Sequence, residues 1–440
     1  MQTEILRVAQ YILKHPILNE KEKYKRKYIN VLEYFVRKYS TSNLYSFRML
    51  ELYKCKLLSN PKDYSYTKKD LKEVSKGVLA WKLKKFKFLS YRYCLLIDVI
   101  FVCSYLDAEK SEEIYREILG IYKKSYWKKL DGLFDFITGK NTEFVPLDQT
   151  EYMCKCLEIN RRFLNREEYG IMVTANMSAG KSTLLNAIIG KKVNKTQNDT
   201  CTAKTHLLFN KAFEDNLTYE YDYELELDAS YEVLMDDNEI NNQNEIYVGT
   251  RFRSVKEVSK SICFIDTPGV NSSQDKLHRE ISEKDIVEKN YEKLIYVMNG
   301  ENLGTDDEYR HLQFVADNFK GKVIFVVNKL DRFRKEDSIP DTINQVKKDL
   351  ENLGYKKPEV CPVSAYAGYL AKMSMFGEEL NDDEIDELDR FYRKLKKEEY
   401  QLNKYYPEEY QELDVSDDPN QQLLLHSGIL SLEEMLYEER

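Results

Sequence analysis

The sequence predicts an α/β domain with a mainly parallel sheet, preceded by an all-α helical domain. Periodicity carries the first part of that expectation. Residues 1 to about 140 place apolar side chains at helical spacing in EILRVAQYIL, INVLEYFVRKY, FRMLELYKCKLL and EEIYREILGIYKKSYW, the recurrence that turns one helix face toward a core. After residue 165 come short apolar runs, IMVT, THLLF, ICFID, LIYVM, KVIFVV and VCPVS, separated by helical segments. Such alternation builds βα units around a parallel sheet. Charge divides the chain in the same way. Residues 1–150 hold 29 Lys/Arg and 18 Asp/Glu, a net of +11, whereas 151–440 carry a net of −19. That asymmetry predicts two units with different surfaces.

At about 150 residues per domain, 440 residues suffice for two or three domains,. The sequence suggests a helical, basic domain over 1–145 and an α/β domain over 150–440. The latter carries an acidic insert at 213–253, read as a β-hairpin or extra strands with an Asn-rich tip, and C-terminal helices at 378–440. In the first domain, breaks fall at His15-Pro16, at SNPKD and near TGKNTEFVPLD,. No apolar run reaches the roughly 18 residues that would span a bilayer. YCLLIDVIFVCSYL has Asp98 at its middle and reads as a buried helix. The start MQTEILRVAQ has neither the basic end nor the apolar stretch of a secretion signal, so a cytoplasmic protein is expected. Eight scattered cysteines among apolar neighbours fit that compartment,. Cys154 and Cys156 are close-spaced but lack the second pair that a zinc site needs. Asp98, Asp107 and Glu112 read as a helix polar group and two solvent-facing charges; a divalent ion between helices would need more oxygen ligands. KEKYKRKY and WKLKKFKF read as solvated helix faces, with contact to anionic lipid or nucleic acid as the sharper alternative.

The chemistry is concentrated in TANMSAGKSTLLNAIIG, residues 174–190. It has the form of a phosphate-binding loop between a strand and a helix, with Ala175 where a glycine usually stands. Ala175 fits if its backbone avoids positive φ. The backbone N–H groups of Ala175, Asn176, Met177, Ser178, Ala179, Gly180, Lys181, Ser182 and Thr183 would surround the phosphates at a helix N-terminus. Lys181 would reach the β- and γ-phosphates, and the Ser182 hydroxyl would ligate Mg²⁺. Downstream, CFIDTPGVN places Asp266 to hold Mg²⁺ through water and Gly269 to offer an N–H to the γ-phosphate; the same residues also make good turn chemistry. VIFVVNKLD puts Asn328, Lys329 and Asp331 at another strand end. The Asp331 carboxylate can accept both the N1–H and the N2–H₂ of guanine, which adenine does not offer. In CPVSAYAG, Ser364 and Ala365 close the set, with the Ala365 N–H toward the guanine O6. Four such elements in this order, each at a strand end where open α/β sheets bind ligands, read as a site for GTP or GDP. The predicted fold class is therefore an α/β, P-loop GTPase domain with a mainly parallel sheet behind an all-α domain.

NMSAGKSTLLNAIIG, FIDTPGVNSS, LIYVMNGENLGTDDE, VVNKLDRF and PVSA resemble the GTPase domain of dynamin-family proteins, bacterial dynamin-like ones in particular. The resemblance covers roughly residues 165–376, and HSGILSLEEML resembles the closing helix of such domains. It implies a switch threonine closing on Mg²⁺ and water, Thr202, with Thr200 and Thr205 as rivals. It implies a homodimer through the loop holding Gly304, Thr305, Asp306 and Asp307, in which pairing completes the catalytic site. Two departures stand out. Met177 occupies a place where many dynamins carry a polar residue, and a thioether is a poor acceptor, so hydrolysis would be slow or rely on Ser178 and the switch. The chain also stops soon after the GTPase domain, so the N-terminal helices would serve as lever or partner-binding unit, unless these residues are a fragment. The leading expectation is a GTP-hydrolysing enzyme working through Ser178, Lys181 and Thr202, with an anionic membrane or a protein as partner of the basic domain. The alternatives are a nucleotide-gated interaction switch with little turnover, or an RNA-associated GTPase of the Era type; nucleic acid is not a partner in the leading reading.

Overall fold

The computed structural model describes residues 3–40, 43–67, 88–105, 107–143, 148–176, 178–194, 204–234, 245–253, 259–270 and 276–437. The chain forms two compact units. The first comprises residues 1–165 with 212–219 and 224–228, and the second the remainder. The units part at 165/166, further along the chain than the sequence suggests, and the acidic insert is shared between them.

In the first unit, helices α1 (Glu22–Tyr39), α2 (Leu44–Leu57), α4 (Ala108–Ile121) and α5 (Trp127–Ile137) pack against α3 (Phe88–Ser104). Helix α3 is the YCLLIDVIFVCSYL segment, and Leu96, Ile97, Val99, Phe101 and Val102 on it are completely buried. An all-round apolar helix belongs in such a central position. Asp98 in its middle is also fully buried. Its Oδ1 accepts from the Tyr11 and Tyr53 hydroxyls, both at 2.9 Å, and its Oδ2 from His15 Nε2 at 2.9 Å and from Tyr28. His15 Nδ1 accepts from the Ile17 N–H at 3.1 Å, so Nε2 carries the ring proton. Four donors are what a buried carboxylate needs. Asp107 caps α4 by accepting from Lys110 N–H, and Glu112 pairs with Arg116 and Lys140. Among the described residues no three His, Cys, Asp or Glu are grouped to hold a metal ion, and no helix is long and apolar enough to cross a membrane.

One expected helix is replaced. EILRVAQYIL is α-helical only over Glu4–Arg7 and enters a short 3-10 turn at Ile12, because the backbone between finds side-chain partners. The buried Asn160 amide on α6 (Glu151–Leu164) accepts from Ala9 N–H at 2.9 Å and donates to Ala9 C=O at 2.8 Å, and Asp215 accepts from Gln10 N–H at 2.7 Å. In KEKYKRKY, Tyr24 and Tyr28 point inward while Lys21, Lys23 and Lys27 are exposed. WKLKKFKF lies almost wholly outside the described residues.

Among the described residues, seven strands lie wholly within the second unit: β1 (Glu168–Ala175), β2 (Thr205–Asn210), β3 (Glu245–Thr250), β4 (Ser261–Asp266), β5 (Lys293–Asn299), β6 (Lys322–Asn328) and β7 (Glu359–Pro362). They run in the order β3-β2-β4-β1-β5-β6-β7. All neighbours are parallel except β2 and β4, which pair antiparallel with His206 opposite Asp266. The insert forms short strands at Tyr219–Tyr221 and Leu225–Glu226, while its Asn-rich tip lies outside the described residues.

Both faces of the sheet are covered, which is why its strands read as continuous apolar runs. Ile171, Val173, Leu208, Val248 and Phe264 pack on one face with α7 (Lys181–Ile189), while Met172, Ile265, Leu294, Phe325 and Val327 pack on the other. That second face meets α8 (Lys276–Glu288), α9 (Asp306–Asn318) and α10 (Ile339–Asn352). Beside α7 lie α11 (Ala365–Met375), α12 (Asp382–Leu395), α13 (Pro419–His426) and α14 (Ile429–Tyr437). The fully buried Lys372 ties three of these helices together. Its Nζ donates to Ile188 C=O at the end of α7, at 2.8 Å, and pairs with Glu433 of α14.

Candidate nucleotide site

Strand β1 delivers the phosphate loop at the sheet's rim. Ala175 is fully buried and does not adopt positive φ, so an alanine there meets no left-handed backbone strain. The left-handed conformations fall instead on Ser178, at φ 62°, and Gly180, at φ 86°. Gly180 is required twice over, because a Cβ there would also run into the Asn328 amide,. Met177 lies outside the described residues. Lys181 then opens α7, and Gly190 closes it at φ 74°.

The Lys181 ammonium pairs with Asp266 at the end of β4. Asn194 donates to the other Asp266 oxygen at 3.0 Å. The turn that presents Asn194 is itself pinned by the buried Asn186, whose Oδ1 accepts from Val193 and Asn194 N–H groups at 3.0 and 2.9 Å. After Asp266 the backbone is held against the loop: Thr267 N–H donates to Val173 C=O at 3.2 Å and Val270 N–H to Ala175 C=O at 3.1 Å. Gly269 lies between these anchors, partly exposed, on the cavity wall.

At the end of β6, Asn328 bridges two segments. Its Nδ2 donates to Ala179 C=O and its Oδ1 accepts from Ala365 N–H, both at 2.9 Å. The Ala365 N–H expected at a guanine carbonyl is therefore engaged by Asn328 here. Lys329 is left-handed at φ 67°, and burial, then Arg332, push its ammonium below the usual lysine range. Asp331 is buried, and Ser364 Oγ donates to its Oδ1 at 2.8 Å. Lys394 of α12 grips the backbone carbonyl of Asp331 at 2.5 Å and that of Phe333 at 2.7 Å.

Lys181, Ser182, Asp266, Gly269, Asn328 and Asp331 all line one cavity of about 1170 Å³. The same wall contains Asn176, Ser178, Ala179, Gly180, Thr183 and Lys329. It also carries residues that no motif announced: Lys204, His206, Tyr366, Asn381, Arg390 and Lys394. Thr202 and Thr200 lie outside the described residues. Thr205 turns its hydroxyl to Asp285 of α8, a wall of a second, smaller cavity. Gly304, at φ 73°, donates its N–H to Glu308 at 2.8 Å, and Thr305 caps α9 by accepting from Glu308 N–H. Asp306 and Asp307 follow in the first turn of that helix, where carboxylates suit the helix dipole,.

A phosphate loop, a strand-end aspartate and an Asn-Lys-x-Asp strand end on a doubly covered parallel sheet define a P-loop GTPase fold. Residues 171–330 match the family model of the Dynamin family. The chain is 23% identical over 216 residues to Dynamin-like protein A of Bacillus subtilis (strain 168), covering 49% of this chain and 18% of that protein. It is 22% identical over 187 residues to GTPase Era of Ureaplasma urealyticum serovar 10, covering 42% and 48%. The chain thus spans less than half the length of these curated relatives. Among solved structures, an oligomerised bacterial dynamin pair aligns with 99% of this chain and 76% of its own, at 18% identity and a TM-score of 0.38. Era in complex with MgGDPNP and a 16S ribosomal RNA segment aligns with 50% of this chain and 61% of its own, at 20% identity and a TM-score of 0.29.

Proposed function

We propose that the second unit binds GTP or GDP with Mg²⁺ and hydrolyses GTP, and that pairing of two such domains through residues 304–307 completes the catalytic site. The observation that carries the reading is the convergence of Lys181, Asp266 and Asp331 on one cavity. Asp331 accepts from the guanine N1–H and N2–H₂, while Lys181 and the loop N–H groups neutralise the phosphates. Ser182 and Asp266 supply the hard oxygen donors that suit Mg²⁺, and would hold it; the ion supplies charge compensation on the phosphates when bound. For Lys181 to reach the phosphates its pairing with Asp266 must open. Hydrolysis is then positioning and charge stabilisation of an in-line water, with Ser178 and Thr202 beside it. The dimer rests on family likeness. The first unit, with its exposed lysines, is proposed as lever or as binding unit for a protein or an anionic membrane.

The test is a GTPase assay across protein concentration together with nucleotide titration. Turnover per molecule is expected to rise with concentration, and ATP is expected to bind about a hundredfold or more weakly than GTP, because a buried carboxylate facing adenine is left unpaired. Equal affinity for ATP removes the guanine assignment, and flat specific activity removes the dimer. One feature favours the second reading, a nucleotide-gated switch with little turnover: the loop carries the poor acceptor Met177.

A further inference from the structure

We propose that Asn194 is the positioning residue for the Mg²⁺ carboxylate, holding Asp266 in place for the ion once Lys181 has turned to the phosphates. The inference rests on the proposed GTPase function and adds a residue that lies outside the motifs of the site. Asp266, at the end of β4, is buried. Among the described residues its carboxylate has two partners: Lys181 pairs with Oδ1, and Asn194 Nδ2 donates to Oδ2 at 3.0 Å. The first contact must open when the ammonium moves to a nucleotide; the second need not. A carboxylate in that state keeps one oxygen fixed and frees the other for the ion or for a water bound to it.

Asn194 is itself held from α7, and only 2% of it is exposed. The Asn186 amide, fully buried on that helix, donates to Asn194 C=O at 2.8 Å and accepts from the Val193 and Asn194 N–H groups at 3.0 and 2.9 Å. All three bonds go to backbone groups, so they fix the turn whatever side chain residue 194 carries. Ser182, the other prospective Mg²⁺ donor, stands four residues before Asn186 on α7. Residues at that spacing lie one above the other on the same helix face. One helix therefore carries Ser182 directly and tethers Asp266 through Asn186 and Asn194, although the two oxygen donors belong to distant segments. Outer hydrogen bonds of this kind lock ligating side chains in place, and Mg²⁺ demands near-ideal octahedral geometry. The amide also carries no charge. A lysine in its place would orient the carboxylate but offset the negative charge that attracts the cation; a neutral N–H donor leaves that charge intact.

The experiment measures GDP affinity in EDTA and over a range of Mg²⁺ concentrations, for the full natural chain, Asn194→Leu and Asn194→Ala. Both variants remove the donor, the first filling its space and the second leaving it open, and the backbone contacts of Asn186 remain available in each. The Mg²⁺ concentration giving half of the ion's effect on GDP affinity is expected to rise roughly ten- to hundredfold, the usual cost of losing a hydrogen bond to a ligating group. GDP affinity in EDTA is expected to stay within about twofold, because Asn194 acts through Asp266 and is not on the cavity wall,. An unchanged Mg²⁺ requirement in Asn194→Leu, or in Asn194→Ala should the leucine variant not fold, overturns the proposal and leaves the GTPase reading standing. An equal loss of GDP affinity with and without Mg²⁺ overturns it too, since it marks a purely structural role. GDP binding by the natural chain that ignores Mg²⁺ removes the ion and the proposal with it. No binding of GDP at all removes the reading on which the proposal rests.

Discussion

Asp331 shows what single residues contribute to this site. Its carboxylate is buried, with one oxygen held by Ser364 and its own backbone carbonyl held by Lys394, so the acceptor is fixed before any base arrives. Hydrogen bonds to a charged group are worth about 1.5–3 kcal/mol each, and two of them to guanine predict that Asp331→Ala weakens GTP binding by roughly a hundredfold or more. Calorimetric titration with GTP and ATP checks it, and the preference for GTP is expected to vanish. At this scale the sequence was informative wherever function is local. Lys181, Ser182 and Gly180 sit in one short stretch whose spacing itself encodes a loop. His206 and Lys394 were not legible, because each reaches the cavity through a long-range pairing, and nothing near them in the sequence marks the direction of their side chains. The Ala365 N–H is expected from sequence to meet a guanine, and in the structure Asn328 Oδ1 accepts from it.

Among the elements, α9 bears on stability. His311 on its inner face lies 3.4 Å from the Tyr296 hydroxyl and is almost completely buried. Burial, with Arg279 as a lesser contribution, pushes its pKa from 6.5 down to about 3. The unfolded chain therefore takes up a proton at this residue below about pH 6.5 while the folded one does not, and stability must fall as pH drops from there toward 3. Melting temperatures measured between pH 7 and pH 5, above the main carboxylate range, are expected to decline more steeply for the natural chain than for His311→Leu. Equal slopes would show that His311 is not held neutral. Elements with one dominant period were legible: the α/β strands and helices α1, α2 and α3 stand close to where the periodicity suggests. EILRVAQYIL misled because periodicity measures which side chains are buried, and the Asn160 amide can satisfy a backbone that is not helical.

For the molecule as a whole, the net of +11 over residues 1–150 and −19 over the remainder predicts surfaces that respond differently to salt. If the basic region meets anionic membranes, sedimentation with vesicles containing phosphatidylserine should be appreciable at low ionic strength. It should fall sharply by about 0.15 M salt, where the Debye length is about 8 Å, and be weak with neutral phosphatidylcholine vesicles. Retention on both vesicle types alike would point away from charge. The change from helical to α/β elements was legible from periodicity. The exact seam was not, because segments 212–219 and 224–228 join the first unit from far along the chain, a matter of tertiary packing and not of local pattern.

The Asn328 amide welds two tasks into one. It clasps the carbonyl of Ala179 and the amide of Ala365, so under the proposed function the grip on a triphosphate tail and the reading of a purine would share a single fastener. Contributions that meet at such a joint are not additive. Ligands carrying only a nucleobase, or only a pyrophosphate, would each report on the other half of the cleft, and no fragment could be improved in isolation.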